Sequence, residues 1–343
     1  MRRQSKIILV RLLAVAVPSL LGLLVISLTL IQQDRLVVEP PGEGGGSSPS
    51  LRLQTPRIYL EEPNHELTGH RYLYDETLGW KNIPNWSATT FSRRLTINSR
   101  GLRDRECDLA KPEGVVRVLV LGDSFVWGYG VSDEEVFTER LESKLIANGA
   151  KVEVLNTGVS GWGTDQQLLF LERDGFDYEP DVVVLAFFIY NDPGNNRESV
   201  QYGLHKPLFA DTNLTLTNVP VPEPGDEAEN RTFAGDPLKL TAAILSRMAE
   251  GCRERNARFL IMKFGHYMFH EDQRGDLVDR KFRELVEPLP HTELFDLDAE
   301  FRRLGIPAEK LKAGYYSHWD ADGHQLVADA LERRLRHDGL LPE

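Results

Sequence analysis

The sequence predicts an α/β protein of three layers, α/β/α, with helices on both faces of a central parallel sheet, preceded by one transmembrane helix. Three observations lead there. From Val115 onward, fully apolar runs of strand length alternate with amphipathic stretches of helix length, the pattern left by strands buried on both faces and by their crossover helices. Residues 12–31 carry no charge, and such a helix, at about 1.5 Å per residue, reaches the roughly 30 Å of a bilayer's hydrocarbon. With 41 % of 343 residues hydrophobic, the chain can bury one large core, so disorder is not the default.

The elements follow in order. Arg2, Arg3, Lys6 and Arg11 precede the apolar segment, so the positive-inside rule leaves residues 1–11 in the cytoplasm and carries the rest of the chain to the far side. The expected protein is therefore a single-pass membrane protein with an extracytoplasmic domain. A cleaved signal peptide fits less well, because the run exceeds an ordinary h-region and no A-x-A-like site succeeds it. Residues 32–57 read as a flexible linker, centred on EPPGEGGGSSPS at 39–50. Residues 58–114 form a lead-in whose aromatics (Tyr72, Tyr74, Trp80, Trp86, Phe91), set among turn residues, predict short strands and loops packing on the larger domain C-terminal to them.

The main domain is expected over 115–343. VVRVLVLG at 115–122 is a buried strand stopped by glycine, and EEVFTERLESKLIANG at 134–149 a helix with a glycine stop. Strands at 151–156, 181–188 and 257–264 alternate with helices at 166–175, 238–256 and, at the end, 322–339. The stretch 193–236, rich in Pro, Asn and Glu, is too long for an ordinary connection and reads as an excursion over the site. In such sheets ligands sit outside the strand C-termini.

The net charge of −12, with no dense basic stripe beyond residue 11, argues against a nucleic-acid surface. Two cysteines, Cys107 and Cys252, allow either one disulfide or two separate buried thiols, and they do not make a metal ligand set. No metal or organic cofactor is implied.

The chemistry-bearing residues lie where strands end. GDSFVWGYG at 122–130 sets Ser124 in the tight turn after the first strand, a place that exposes a hydroxyl and equally suits a helix N-cap. LNTGVSGWGTDQ at 155–166 ends the second strand with glycines that let backbone N–H groups approach a ligand. FFIYNDP at 187–193 offers Asn191 after the third, in what is also a good turn sequence. SHWDADGH at 317–324 brings two histidines before the closing helix; with Asp322 as its N-cap, His324 is structural and His318 the candidate base.

Together these four segments, in this order over about residues 115–337, resemble the SGNH or GDSL hydrolase superfamily, with GDSF in place of GDSL. The resemblance implies a flavodoxin-like fold and a carboxylic ester hydrolase: Ser124 as nucleophile, Gly161 and Asn191 in the oxyanion hole, and His318 as base. YDETLGW at 74–80 and INSRGLRDRE at 97–106 also look like the lead-in of membrane-anchored bacterial members. Two departures stand out. Ile189 occupies the glycine position of the usual G-x-N-D block, and Tyr315 stands where D-x-x-H would place the triad acid. A backbone carbonyl or another carboxylate, such as Asp296 or Asp320, would have to orient the base. The expected substrate is an acyl ester, small or carried on a glycan, with Trp127, Trp162 and Trp319 available to stack on sugars. Acetyl transfer to a polysaccharide, or a catalytically inactive binding module, are the alternatives.

Overall fold

The computed structural model describes residues 71–269, 273–311, 313–314 and 317–339, with three earlier strands, Arg35–Val38, Leu51–Gln54 and Ile58–Leu60. The chain divides into two units, Met1–Ile58 and Tyr59–Glu343. In the first, Arg35–Val38 pairs antiparallel with Leu51–Gln54, so two aliphatic stretches inside the expected flexible linker form a hairpin. The expected cytoplasmic N-terminus and membrane helix, residues 1–31, lie outside the described residues. Among the described residues, no helix is long and apolar enough to cross a membrane.

The second unit is built on five parallel strands: β1 (Val116–Leu121), β2 (Val152–Asn156), β3 (Val182–Phe188), β4 (Arg258–Phe264) and β5 (Glu293–Asp296). Their order is β5-β4-β3-β1-β2. β1 pairs with β2 (Val116 opposite Val152) and with β3 (Val118 opposite Val182), and β4 pairs with β3 and β5, all in parallel. Strand alternation sends Leu119, Leu121, Val183, Leu185 and Phe187 to one face. There they meet α3 (Thr164–Arg173), α4 (Pro237–Glu254) and α5 (Gln273–Val286) through Leu171, Ile244, Met248 and Phe282. Val118, Val120, Val182 and Val184 face the other way. They pack on α2 (Phe137–Ala147), α6 (Leu297–Arg303) and α7 (Ala321–His337) through Phe137, Leu141, Phe301, Val327 and Leu331. This is the three-layer doubly wound arrangement.

The order reverses between β1 and β3. From β1 the chain crosses outward to β2, then returns past β1 to β3 and continues to β4 and β5. Loops leaving the C-ends of β1 and β3 therefore diverge and open a crevice between them. Ser124 and Asn191 each lie three residues beyond the end of their strand, one on either side of it.

Two antiparallel hairpins precede the sheet: Arg71–Asp75 with Gly79–Asn82, and Ser87–Thr90 with Arg93–Thr96. The excursion is ordered as well, with Val200–Gln201 paired to Leu204–His205 and Leu208–Phe209 to Leu216–Thr217. Its Leu204, Leu208, Phe209 and Phe233 join the core on the α3/α4 face. Lys206 pins it further. Fully buried, its ammonium pairs with the fully buried Asp165 of α3 and donates to the Asn195 carbonyl at 2.9 Å. Burial pushes the Asp165 carboxyl up and the Lys206 amine down, each against the pull of its partner. Removing one charge from such a pair strands the other. Lys206→Met is expected to cost about 3–5 kcal/mol, and Lys206→Met with Asp165→Leu to recover a good part of it. Urea midpoints of the three proteins check this; a double variant no better than the single would refute it.

Candidate active site

The site starts from a steric constraint at the end of β1. A Cβ on Gly122 would lie 2.3 Å from the Val126 methyl, so glycine lets the strand run directly into the one-turn helix α1 (Ser124–Trp127). Asp123 caps that helix, its Oδ1 accepting from Phe125 N at 2.9 Å. Gly128 ends it in the left-handed region at φ +84°, and Tyr129 N bonds back to the Ser124 carbonyl at 3.0 Å. Ser124 is thereby held half-buried at the crevice.

His318 reaches it from 194 residues away, with Nε2 2.8 Å from Ser124 Oγ. Neighbouring Trp319 is fully buried among Phe125, Phe137 and Phe264 and anchors the segment. The imidazole lies between two rings: Phe125 at 4.5 Å and 29°, and Tyr129 at 4.7 Å and 25°. His324 is buried in the first turn of α7 and accepts from Phe137 N at 3.2 Å. Burial, with Arg103 and Arg140 nearby, holds it well below the ordinary histidine range, so it stays neutral.

The N-cap of α7 is Asp320 rather than the expected Asp322: its Oδ1 accepts from Gly323 N at 2.9 Å. The helix thus begins one residue before Asp322, which falls in its first turn. Asp296 caps α6 through Ala299 N and pairs with Lys263 and Arg283. Both carboxylates suggested as substitute triad acids thus have structural partners. Tyr315 lies outside the described residues.

Gly161 is buried, at φ +82°, in the loop after β2. The carbonyl of Ser160 accepts from Trp80 Nε1 at 3.1 Å. Because a trans peptide points its C=O and the adjoining N–H in opposite directions, this bond turns the Gly161 N–H away from the indole. Trp162 Nε1 returns a bond to the Trp80 carbonyl at 2.9 Å. Two residues along the same strand, Asn82 accepts from Trp127 Nε1 at 3.1 Å and donates to the Gly158 carbonyl at 3.3 Å. The strand Gly79–Asn82 therefore holds the serine helix and the glycine loop in one frame. Arg103 completes it from the same lead-in. Buried over the Trp127 ring at 5.0 Å, it donates to the carbonyls of Trp127 and Gly128 at the C-terminal end of α1 and to that of Val131 beyond it.

Asn191, after β3, donates its amide to Asp123 Oδ2 at 2.6 Å, so the carboxylate beside the serine orients the amide beyond it. An amide nitrogen carries two hydrogens, and this bond uses one. Burial pushes the Asp123 carboxyl up to about 6 against the opposing Asn191 bond. Asp192 is fully buried and accepts from Phe188 N. Burial first, then the Asp123 charge, holds it well above the usual carboxylate range. Ile189, in place of the usual glycine, packs into the core with its N–H on the Phe264 carbonyl, so the β3 turn survives the change.

Ser124, His318 and, through Asp123, Asn191 thus form one bonded cluster. Gly161 belongs to the loop that leans on it, where Val159 N donates to the Gly122 carbonyl at 3.2 Å. The expectation that three tryptophans stack on sugars is overturned: Trp127, Trp162 and Trp319 are 2 %, 1 % and 0 % exposed. Two spend their indole N–H on the lead-in strand described above, and Trp319 fills the core. The aromatic beside Gly161 that does meet solvent is Tyr202, 49 % exposed on the excursion. A Cβ on Gly161 would lie 3.0 Å from its ring. Cys107 and Cys252 are both free thiols, pushed by burial up to about 11 and about 12. Among the described residues no group of His, Cys, Asp or Glu could hold a metal ion. A cavity of about 330 Å³ lined by Arg94, Arg103, Asp133 and Glu139, among others, includes none of the four candidate residues.

A parallel doubly wound sheet with a serine–histidine contact at its switch point is the framework of a hydrolase. The sequence profile of the GDSL-like lipase/acylhydrolase family matches residues 120–326, and the chain belongs to that family. Comparison with curated proteins finds no match. Solved structures of similar fold include TesA, 15 % identical over 64 % of this chain and 98 % of that one, with a TM-score of 0.44. Another is the esterase EstA from Pseudoalteromonas sp., 17 % identical over 64 % of this chain and 97 % of that one, TM-score 0.42. A third is the acetylxylan esterase Axe2 from Geobacillus stearothermophilus, 17 % identical over 64 % and 94 %, TM-score 0.43.

The raised Asp123 carboxyl carries a prediction about stability. Its folded value, about 6, exceeds the reference 3.8, so the folded state favours the protonated form. The cost of holding it charged builds as pH rises from about 4 to about 6 and is complete above that, on the order of 2–3 kcal/mol. Asp123→Asn keeps an oxygen for Phe125 N and removes the titration. Its stability relative to the parent protein should therefore be greater at pH 7.5 than at pH 4.5. Urea melts at the two pH values measure the difference; a gap independent of pH would contradict this account.

Proposed function

We propose that the chain is a serine esterase acting on acyl esters, with the four candidate residues in named roles. The observation that carries this reading is the 2.8 Å contact between Ser124 Oγ and His318 Nε2. A serine becomes nucleophilic only when a base within hydrogen-bond reach takes its proton. His318 Nε2 accepts that proton as Ser124 Oγ bonds to the ester carbonyl carbon. The N–H groups of Ser124 and Gly161 and the amide of Asn191 meet the oxyanion. Collapse breaks the carbon–oxygen bond to the alcohol, which leaves with the proton from His318, and water releases the acid by the same steps. Asp123, by fixing the Asn191 amide, keeps one donor pointed before substrate arrives.

The test is hydrolysis of p-nitrophenyl acetate by the full chain in detergent. Ser124→Ala and His318→Gln should each lower kcat by about 10⁴ or more with the fold retained. Turnover undiminished in Ser124→Ala would end the reading. In the parent protein, failure of a fluorophosphonate to label Ser124 would favour a binding module of the same fold.

An acylated glycan is the substrate that a specific observation favours. Tyr202 and Gly203, both at positive φ, form the two-residue turn of a hairpin and present the Tyr202 ring to solvent beside Gly161. An aromatic face there suits a sugar ring carrying the ester. Tyr202→Ala should raise KM for acetylated xylo-oligosaccharides several-fold more than for p-nitrophenyl acetate. Equal changes for both would remove the sugar from the account. Acetyl transfer would appear as product acetylated on an added oligosaccharide. With residues 12–31 as its anchor, the domain would act outside the cytoplasm.

A further inference from the structure

We propose that Phe125 and Tyr129 are positioning residues for His318, sandwiching its ring and stabilising the imidazolium that forms when it takes the Ser124 proton. The catalytic consequence rests on the esterase reading above; the contact does not. A triad acid does two things for its histidine: it holds the ring and it offsets the positive charge. The sequence has Tyr315 where that acid belongs, Asp296 is engaged with Lys263 and Arg283, and Asp320 caps α7.

The rings meet both requirements in another way. They lie 4.5 and 4.7 Å from the imidazole centroid, tilted 29° and 25°, one on each face. Contacts to the faces fix the ring plane and leave its in-plane nitrogens to hydrogen bonds, of which Nε2 to Ser124 is one. The rings are themselves held. Phe125 packs on Phe264, Trp319 and Phe188 at 4.8 to 5.0 Å, and Tyr129 on Phe91 at 5.1 Å. Both come from the serine's own segment, because the left-handed Gly128 folds Tyr129 back onto the Ser124 carbonyl. While His318 is neutral, this is ordinary aromatic packing. Once protonated it becomes a cation between two π faces, so the stabilisation appears at the moment of proton transfer.

Among the described residues, the titratable and charged groups of the surrounding elements are Asp123, next to Ser124 in the chain, and Asp192, then Asp320 and Asp322 on the segment of His318 itself, and the neutral His324 of α7. Arg103 and Arg140 lie beyond His324. None of them changes when Tyr129 is replaced.

The test tracks the His318 resonance of the full chain, histidine-labelled with ¹³C and ¹⁵N in detergent micelles and assigned by its loss in His318→Gln. Tyr129→Leu should lower the midpoint of the His318 titration by about half to one pH unit, and Tyr129→Phe should leave it in place. Trifluorinated phenylalanine at position 129 keeps the shape and weakens the π face, so it should lower the midpoint even if Tyr129→Leu fails to fold. A midpoint that rises in Tyr129→Leu, or one identical for phenylalanine and its trifluoro analogue, overturns the proposal. Because the readout is independent of turnover, an inactive parent protein with the expected shifts would sink the esterase reading and leave this contact standing.

Discussion

β1 has to lie between β2 and β3, and the site exists because it does. That pairing is enforced by burial on both sides: Val118, Leu119, Val120 and Leu121 are all fully enclosed, with alternate residues committed to opposite helical layers. A one-residue slip would exchange the layers and move Gly122 off the point where Val126 leaves no room for a Cβ. Register, hydrophobic pattern and the serine turn are thus one constraint. The crevice results from the order of the strands, and so does the approach of Ser124 and Asn191 to it from opposite sides.

Against this apolar frame the site concentrates buried polarity. Asp123, Asp192, Arg103 and the Asp165–Lys206 pair are all enclosed near the strand C-ends. Burying such groups costs stability unless every lone pair and proton finds a partner. Most do: Arg103 serves three carbonyls and Asp133, and Lys206 a carboxylate and the Asn195 carbonyl. Asp192 Oδ1 and Asn191 Oδ1, by contrast, are buried without a partner.

The sheet was legible because strands covered on both faces are unbroken apolar runs. The run at 115–122 became Val116–Leu121, and that at 257–264 became Arg258–Phe264. β5 and α5 left no such trace. ELFD is four residues at an edge with only Phe295 buried, and half of QRGDLVDRKFRELV is charged. At the site, Ser124 and His318 were readable as motif residues and the structure brings them together. Trp80, Asn82 and Arg103 were not readable as site residues: hydrogen bonds spanning 24 to 80 residues have no period and no spacing. The same reason misplaced Trp127 and Trp162, whose indole N–H groups bind carbonyl and amide oxygens of the lead-in rather than leaving the ring faces to a ligand.

The lead-in also separates two meanings of a domain boundary. The family match begins at residue 120, at the end of β1, and everything named as chemistry lies within it. Yet the peptide carrying Gly161 N–H is oriented by Trp80, the serine helix is tied through Trp127 to Asn82, and its terminal carbonyls are satisfied by Arg103. Without those partners, several buried backbone and indole groups would each lose a bond whose absence costs about 1–3 kcal/mol. The glycine loop would then have little to fix its φ > 0 turn. Residues 71–103 are therefore part of the frame that holds the candidate site, although none of the four candidate residues lies among them. A domain drawn from the family match alone begins some fifty residues too late.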